Sequence, residues 1–310
     1  MEDKKIPLIA VVGPTASGKT ALGIALAKAL SGEIVSADSM QIYKGIPIAS
    51  AVPSEVERQG IEHYMLEFLE PTNAYSVADY VKAAAEHIEK INNKGKTAIL
   101  VGGTGLYIDS LTGGIAFIES KTDPALRERL EREYDTVGGE AMLEKLALID
   151  AAASEKLNAT DRRRIVRAFE IYESSGITKT EAELKSKSKP SPYKTVFIGI
   201  TYRDREKLYE RINRRVDIML ENGLLEEAKS TLSNQGGTAA AQAIGHKELH
   251  SYLRGEKTFD EAVEDLKRET RRYAKRQLTW FRRNEKINWI YADECESIAE
   301  KALEIIEKEL

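Results

Sequence analysis

The chain has 310 residues, 42% hydrophobic and 31% charged, with a formal net charge of −4, an ordinary soluble composition with room for one large domain or a core with a smaller insert. No apolar run approaches the roughly 20 residues of a membrane helix, and the charged start Met1-Glu2-Asp3-Lys4-Lys5 has no secretory pattern, so the sequence predicts a cytoplasmic protein without a membrane partner. A single cysteine, Cys295, excludes an internal disulfide and a cysteine-based zinc site.

Ile6 to Val12 is an apolar strand ended by Gly13-Pro14, and Thr20 to Leu30 has helical periodicity. Glu33 to Ala37 reads as a second strand, Val77 to Asn92 as an amphipathic helix, and Thr97 to Val101 as a third strand ended by Gly102-Gly103. A further strand is predicted at Thr195 to Ile200. Strands alternating with helices imply an α/β fold, a parallel sheet with helices on both faces. The stretch between has no strand pattern. It predicts helices at Pro124 to Tyr134, Gly139 to Ile149, Ala151 to Leu157 and Asp161 to Ser174, then a linker at Lys185 to Pro192. From Asp204 onward the pattern is helical again. The expected organisation is a P-loop NTPase-like core, residues 1–116 and 195–310, with a helical insertion domain at 117–194.

The segment Gly13, Pro14, Thr15, Ala16, Ser17, Gly18, Lys19, Thr20 fits the P-loop pattern G-x-x-x-x-G-K-[ST], between a strand and a helix as that motif requires. Its glycines let backbone N–H groups converge on an anion at a helix N-terminus. Lys19 adds a cation, and the Thr20 hydroxyl is placed to ligate Mg²⁺. The pattern alone admits ATP, the commonest ligand of such loops, as well as a diphosphate. A P-loop ATPase normally adds an acid at the end of a nearby strand. Here the third strand runs into Gly102-Gly103-Thr104, which weakens the ATPase and kinase readings. Asp38 follows the second strand, at the ligand-facing end of a parallel sheet. It can serve as a general base, or simply close an Asx turn. Position alone does not choose between them.

Asp38-Ser39-Met40-Gln41-Ile42-Tyr43-Lys44-Gly45 after this P-loop resembles the tRNA dimethylallyltransferase family. Further motifs match in order: Val101 to Tyr107, Asp161 to Ala168, Ala243-Ile244-Gly245-His246-Lys247-Glu248, and Lys275 to Arg282. The resemblance covers nearly the whole chain. It implies transfer of a dimethylallyl group from dimethylallyl diphosphate to N6 of the adenosine 3′ of the anticodon, with the P-loop on the diphosphate and Mg²⁺ on Thr20. It implies Asp38 as base and Arg215 as a diphosphate contact. Asp38, Ser39, Met40, Gln41, Thr104, Arg127, the segment Arg163, Arg164, Ile165, Val166, Arg167, and Arg276 with Gln277 are implied to contact the anticodon stem-loop of tRNA. The same core chemistry on free AMP or ATP, a small-molecule kinase, and a non-catalytic tRNA-binding module are the competing readings.

Lys267 to Lys286 is strongly basic. On a helix, Arg268, Arg272, Lys275, Arg276 and Arg283 share one face, while Tyr273, Gln277, Trp280 and Phe281 turn toward another. The basic face suits RNA phosphates, and the aromatics read as packing residues. Two positions depart from the family pattern. Ala49-Ser50-Ala51-Val52-Pro53 stands where Gly-Thr-Ala-Lys-Pro is common, and His246 stands where Tyr is frequent. His246 reads as a partly buried turn residue. The family's eukaryotic C-terminal zinc finger has no counterpart, and the chain reads as a monomer.

Overall fold

The computed structural model describes residues 5–115, 123–186, 190–234 and 238–310. The chain divides into two compact units, Met1–Thr112 with Pro192–Leu310, and Gly113–Ser191.

The larger unit is built on one six-stranded parallel sheet in the order β3-β2-β4-β1-β5-β6. In chain order its first half has β1 (Ile6–Val12), α1 (Lys19–Ala29), β2 (Gly32–Ser36), α2 (Pro47–Ser50), α3 (Glu55–Arg58), β3 (His63–Tyr64), α4 (Val77–Asn93), β4 (Thr97–Gly102) and α5 (Gly105–Thr112). The smaller unit follows, with α6 (Pro124–Val137), α7 (Gly139–Ile149), α8 (Ala151–Ser154), α9 (Arg162–Ser175) and α10 (Lys179–Ser186). The chain then returns through β5 (Tyr193–Thr201), α11 (Arg205–Glu221), α12 (Leu224–Asn234), α13 (His246–Leu253), α14 (Phe259–Phe281), β6 (Ile287–Tyr291) and α15 (Ile298–Glu309).

β1 reads as a near-continuous apolar run because both faces of the sheet are covered. Leu8, Ala10 and Val12 face a core with Tyr80, Ile88 and Ile108 from α4 and α5. Ile9 and Val11 face the opposite core, with Leu22 and Leu26 of α1 and Ile306 of α15. α4 starts where Ser76 accepts the Asp79 N–H and Asp79 reciprocates to the Ser76 N–H, a capping box that fixes its first turn.

The region after Asp204 is not wholly helical. β6, Ile-Asn-Trp-Ile-Tyr, pairs in parallel with β5 at the sheet edge. Five residues directly after a long basic helix gave too short an alternation to stand out. The two-residue β3 at the other edge was equally invisible. The smaller unit is all helical among its described residues. α8 is shorter than predicted, and α10 was not foreseen. Its last residues, Lys185 and Ser186, belong to the segment predicted as a linker, of which residues 187–189 lie outside the described residues. The sheet resumes at Tyr193, so residues 193 and 194 belong to a core strand and not to the insert. This unit has its own core of Leu130, Met142, Leu146, Ile165, Val166 and Phe169.

Candidate active site

Register brings the site together. Val12 pairs with Gly102, and Ser36 pairs with Val101. The turns at Gly13, Asp38 and Gly103 therefore open at the same end of the sheet, where a parallel fold forms its ligand crevice. The approach is close: a Cβ on Gly102 would lie 2.2 Å from the Ala37 carbonyl oxygen, and one on Gly103 2.1 Å from Gln277 Nε2. The Gly-Gly-Thr loop needs its glycines for space.

The P-loop folds back through Ala16 at φ 61° and Gly18 at φ 101°. Gly18 precedes α1 and provides no side-chain cap, so first-turn N–H groups stay available to an anion. Ser17 Oγ is buried without a hydrogen-bond partner among the described residues. Two distant residues fix the loop. Gln277 Oε1 accepts the Thr15 N–H at 2.8 Å, and Arg211 Nε donates to the Ala16 carbonyl at 3.1 Å. Lys19 Nζ donates to the Pro14 carbonyl at 2.6 Å, folding its cation over the loop.

Asp38 Oδ1 accepts the Met40 N–H at 2.9 Å, forming the Asx turn. A carboxylate has about four acceptor positions, so closing this turn leaves it able to take a proton as well. Burial pushes Asp38 above the usual carboxylate range, opposed by the Met40 amide and by the charges of Lys19 and Arg215. Lys19 is pulled down to about 7, first by burial and then by Arg215, with Asp38 opposing. Arg215, on α11, is also lowered by burial, with Asp38 opposing. Two cations thus lie within the electrostatic reach of one carboxylate. Such an arrangement is unfavourable until an anion joins it.

Two openings meet at this cluster. A cavity of about 330 Å³ is lined by Asp38, Lys19, Arg215 and Arg276, with an apolar side from Val216, Met219, Ile244 and Leu266. A wider basin of about 1470 Å³ shares Lys19, Thr20 and Arg215 and adds Arg58, Arg211 and Arg214. Thr20 is exposed there. No group of three His, Cys, Asp or Glu side chains among the described residues could hold a metal ion by itself.

The neighbouring sequence-predicted residues fall into two groups. Thr104 and Ser39 hold each other: Thr104 Oγ1 accepts the Ser39 N–H at 3.0 Å, and the Thr104 N–H donates to the Ala37 carbonyl. Gln41 is committed inside the protein. Its Oε1 accepts from Ser36 Oγ, and its Nε2 donates to the Ser50 and Ala51 carbonyls. Gln277 is buried and joins the two loops, accepting from Thr15 and donating to the Gly103 carbonyl at 3.0 Å. Met40 packs beside Ile42, Tyr43 and Ile46. Arg276 is exposed, with its guanidinium 5.7 Å from the Tyr273 ring centre. Tyr273 belongs to the cavity wall, and its phenol is raised by burial and by the Asp38 charge.

In the smaller unit, Arg163, Arg164 and Arg167 are exposed on α9. Ile165 and Val166 are not available to RNA: both are buried in that unit's core, at 0% and 1% exposure. Alternation along a helix made one continuous contact segment impossible, since successive side chains point about 100° apart. Arg167 pairs with Glu170 at 3.2 Å, and Arg127 pairs with Glu131 at 3.1 Å while approaching the same Glu170 at 3.9 Å.

Sequence reasoning missed Arg211, the role of Gln277 and the part Tyr273 takes in the cavity. Arg211 could have been found, because it lies four residues before Arg215 and so shares its helix face. His246 is fully buried at the first residue of α13, so it is not a partly buried turn residue.

The family model for IPP transferase matches residues 41–284. The chain is 47% identical to the tRNA dimethylallyltransferase of Acetivibrio thermocellus over 292 residues, 94% of this chain and 93% of that protein. It is 44% identical to the Bacillus subtilis tRNA dimethylallyltransferase, over 93% of this chain and 92% of the relative. The solved full-length tRNA isopentenylpyrophosphate transferase of Bacillus halodurans superposes with TM-score 0.72 at 38% identity, covering 98% of each chain. A eukaryotic dimethylallyltransferase solved acting on tRNA superposes with TM-score 0.83 at 27% identity, over 96% of this chain and 77% of that one.

Proposed function

This chain belongs to the IPP transferase family, and from that premise we propose that it transfers a dimethylallyl group from dimethylallyl diphosphate to N6 of the adenosine 3′-adjacent to the anticodon of tRNA. One observation carries the reading furthest: Asp38 lines the same cavity as Lys19 and Arg215, where the P-loop ends. A base and an anion grip within one small chamber suit a reaction that removes a proton from a nucleophile while a polyanion departs.

The diphosphate lies on the P-loop amides, with Lys19 and Arg215 taking its charge. Those donors are fixed before the reaction, by Gln277 and Arg211, so little reorganisation accompanies bond breaking. The adenine N6 attacks the allylic carbon. The C–N bond forms, the C–O bond to diphosphate breaks, and the N6 proton passes to Asp38. The apolar side of the cavity keeps water from an allylic carbon that gains positive charge. No covalent enzyme intermediate is needed. The donor set fits Mg²⁺ carried by the diphosphate: Thr20 offers one exposed hydroxyl, and Mg²⁺ usually takes its remaining ligands from phosphates and water. When bound there, the ion would offset charge on the leaving diphosphate.

The RNA is gripped by exposed cations: Arg276 on α14, and Arg163, Arg164 and Arg167 on the helical unit. The target base must leave its stack to reach Asp38. We read the enzyme as a cytoplasmic monomer, and no described helix is long and apolar enough to cross a membrane.

Labelled dimethylallyl diphosphate, incubated with unmodified tRNA or with AMP, tests the proposal. Label is expected in tRNA. Label entering AMP but not tRNA would overturn it.

A further inference from the structure

Glu227 on α12 and His246 on α13 form a buried pair that the reaction scheme does not use. His246 Nε2 lies 2.8 Å from Glu227 Oε1, and His246 Nδ1 lies 3.1 Å from the Ala240 carbonyl oxygen. The His246 side chain is 0% exposed and that of Glu227 7%. A carbonyl accepts hydrogen bonds only, and so does an ionised carboxylate. The imidazole thus bridges the Ala240 carbonyl and the Glu227 carboxyl through its two nitrogens.

Glu227 has two further partners. Its Oε2 accepts the Ile48 N–H at 2.8 Å, and its Oε1 accepts the Ala49 N–H at 2.9 Å. These amides open α2, a helix of four residues that cannot hold itself. The next residues lie on the wall of the cavity that contains Asp38: Ala49, Ser50 and Ala51. The Ser50 and Ala51 carbonyls in turn accept from Gln41 Nε2, at 3.3 Å and 2.9 Å, three residues beyond Asp38. The segment is therefore tied at its start to Glu227 and at its end to the Asp38 loop.

We infer that His246 is a positioning residue for prenyl transfer: anchored on the Ala240 carbonyl, its ring holds the Glu227 carboxyl in place, and Glu227 thereby sets the cavity wall that Ala49 to Ala51 share with the base. This rests on the function proposed above. His250, one turn along α13, does not compete for Glu227, because its Nε2 faces the Ala228 carbonyl at 3.0 Å. Glu248 is likewise occupied, accepting the Gly245 N–H at 2.8 Å. Residues 239–244, which supply the Ala240 carbonyl, carry no charge. Without His246, the buried Glu227 carboxyl keeps only the Ile48 and Ala49 amides as hydrogen-bond partners among the described residues.

Nitrogen-15 spectra of the full chain, with His246 identified by its loss in His246→Tyr, test the first half. Both ring nitrogens are expected to show the shifts of hydrogen-bonded nitrogens, and a ring with one unbonded nitrogen overturns the assignment. Steady-state kinetics with tRNA test the second. His246→Ala is expected to lower kcat about tenfold while tRNA affinity stays within about twofold, the usual pattern when reacting groups are misplaced but binding surfaces are not. His246→Tyr, whose hydroxyl can donate to the same carboxylate, is expected to restore most of that rate. An unchanged kcat in His246→Ala, or a Tyr variant no better than Ala, overturns the positioning role. Failure of the unaltered chain to prenylate tRNA would sink the functional reading alone, since the nitrogen spectra judge the pair without any turnover.

Discussion

The cations of the P-loop chamber and those of the helical unit belong to opposite electrostatic regimes. Lys19 and Arg215 are both lowered by burial, Arg215 lowers Lys19 further, and the Asp38 charge opposes both shifts. Arg127 and Arg167 sit in solvent and are matched to Glu131 and Glu170. The first set is strained by its own charge and gains most when a polyanion arrives. The second is already satisfied and competes with water and its own carboxylates for each phosphate. On the proposed function, the half-buried cations of the chamber act on the leaving diphosphate, and the exposed ones set adjustable affinity for RNA.

The largest expected effect falls on the shared carboxylate. Asp38→Ala should lower kcat by roughly 10²- to 10⁴-fold, the usual worth of a positioned base, with tRNA binding retained in filter-binding or fluorescence titration. Near-normal turnover would remove Asp38 from the role of base and break the contrast. Arg215→Ala comes next. It should lower kcat by about 10²-fold or more, as loss of a preorganised charge contact does. The same variant should raise the melting temperature of the ligand-free enzyme, because Lys19 loses a repelling neighbour. A melting temperature that falls would mean that Arg215 is held by its surroundings and not strained against Lys19.

Proton uptake sharpens the comparison further. The Lys19 amine loses its proton at about 7 in the free enzyme, and a bound diphosphate favours the charged form. At pH 8 diphosphate binding should take up close to one proton, and below about pH 6 none, since the amine is already charged there. Calorimetry in buffers of different ionisation enthalpy reads this directly. The same shift has a stability consequence of definite sign. Between pH 7 and the ordinary lysine value the unfolded chain holds a proton that the folded one has shed, so ligand-free stability should rise across that window.

The smallest effects belong to the helical unit. Arg163→Ala should weaken tRNA binding a few-fold and reduce the salt slope by about one. Arg167→Ala should do less, because removing it also leaves Glu170 without its close partner and trades one interaction for another. Equal losses at both positions would show that the Glu170 pair does not restrain Arg167. Ile165→Ala is the control: it should cost about 2–5 kcal/mol of stability as a core truncation, without any specific change in salt dependence.

Much of the chamber could be read from residues in a row. The apolar run Ile6 to Val12, the glycines at 13 and 18, and Lys19-Thr20 specify a strand, a tight anion-binding turn and a helix start within fifteen residues, all by local backbone preference. Asp38 was legible for the same reason, one position past the end of a short strand. The helical unit was legible as a set of helices, yet its contact segment was misjudged. Linear order cannot say that Ile165 and Val166 turn inward while Arg163, Arg164 and Arg167 turn out, unless the helix phase is applied residue by residue.

The sequence by itself determined the alternation of strands and helices, the glycine-rich turn before α1 and the carboxylate that follows β2, because each depends on neighbours a few residues apart. Only the tertiary structure decided what closes the chamber. Gln277 reaches Thr15 across 262 positions, Arg211 reaches Ala16 across 195, and Glu227 reaches Ile48 across 179. Such partners leave no local trace, since a side-chain amide or carboxylate looks the same on a helix whether it faces water or a distant backbone. The hidden strand β6 and the buried ring of His246 follow the same rule: their environment is supplied by parts of the chain far away in sequence.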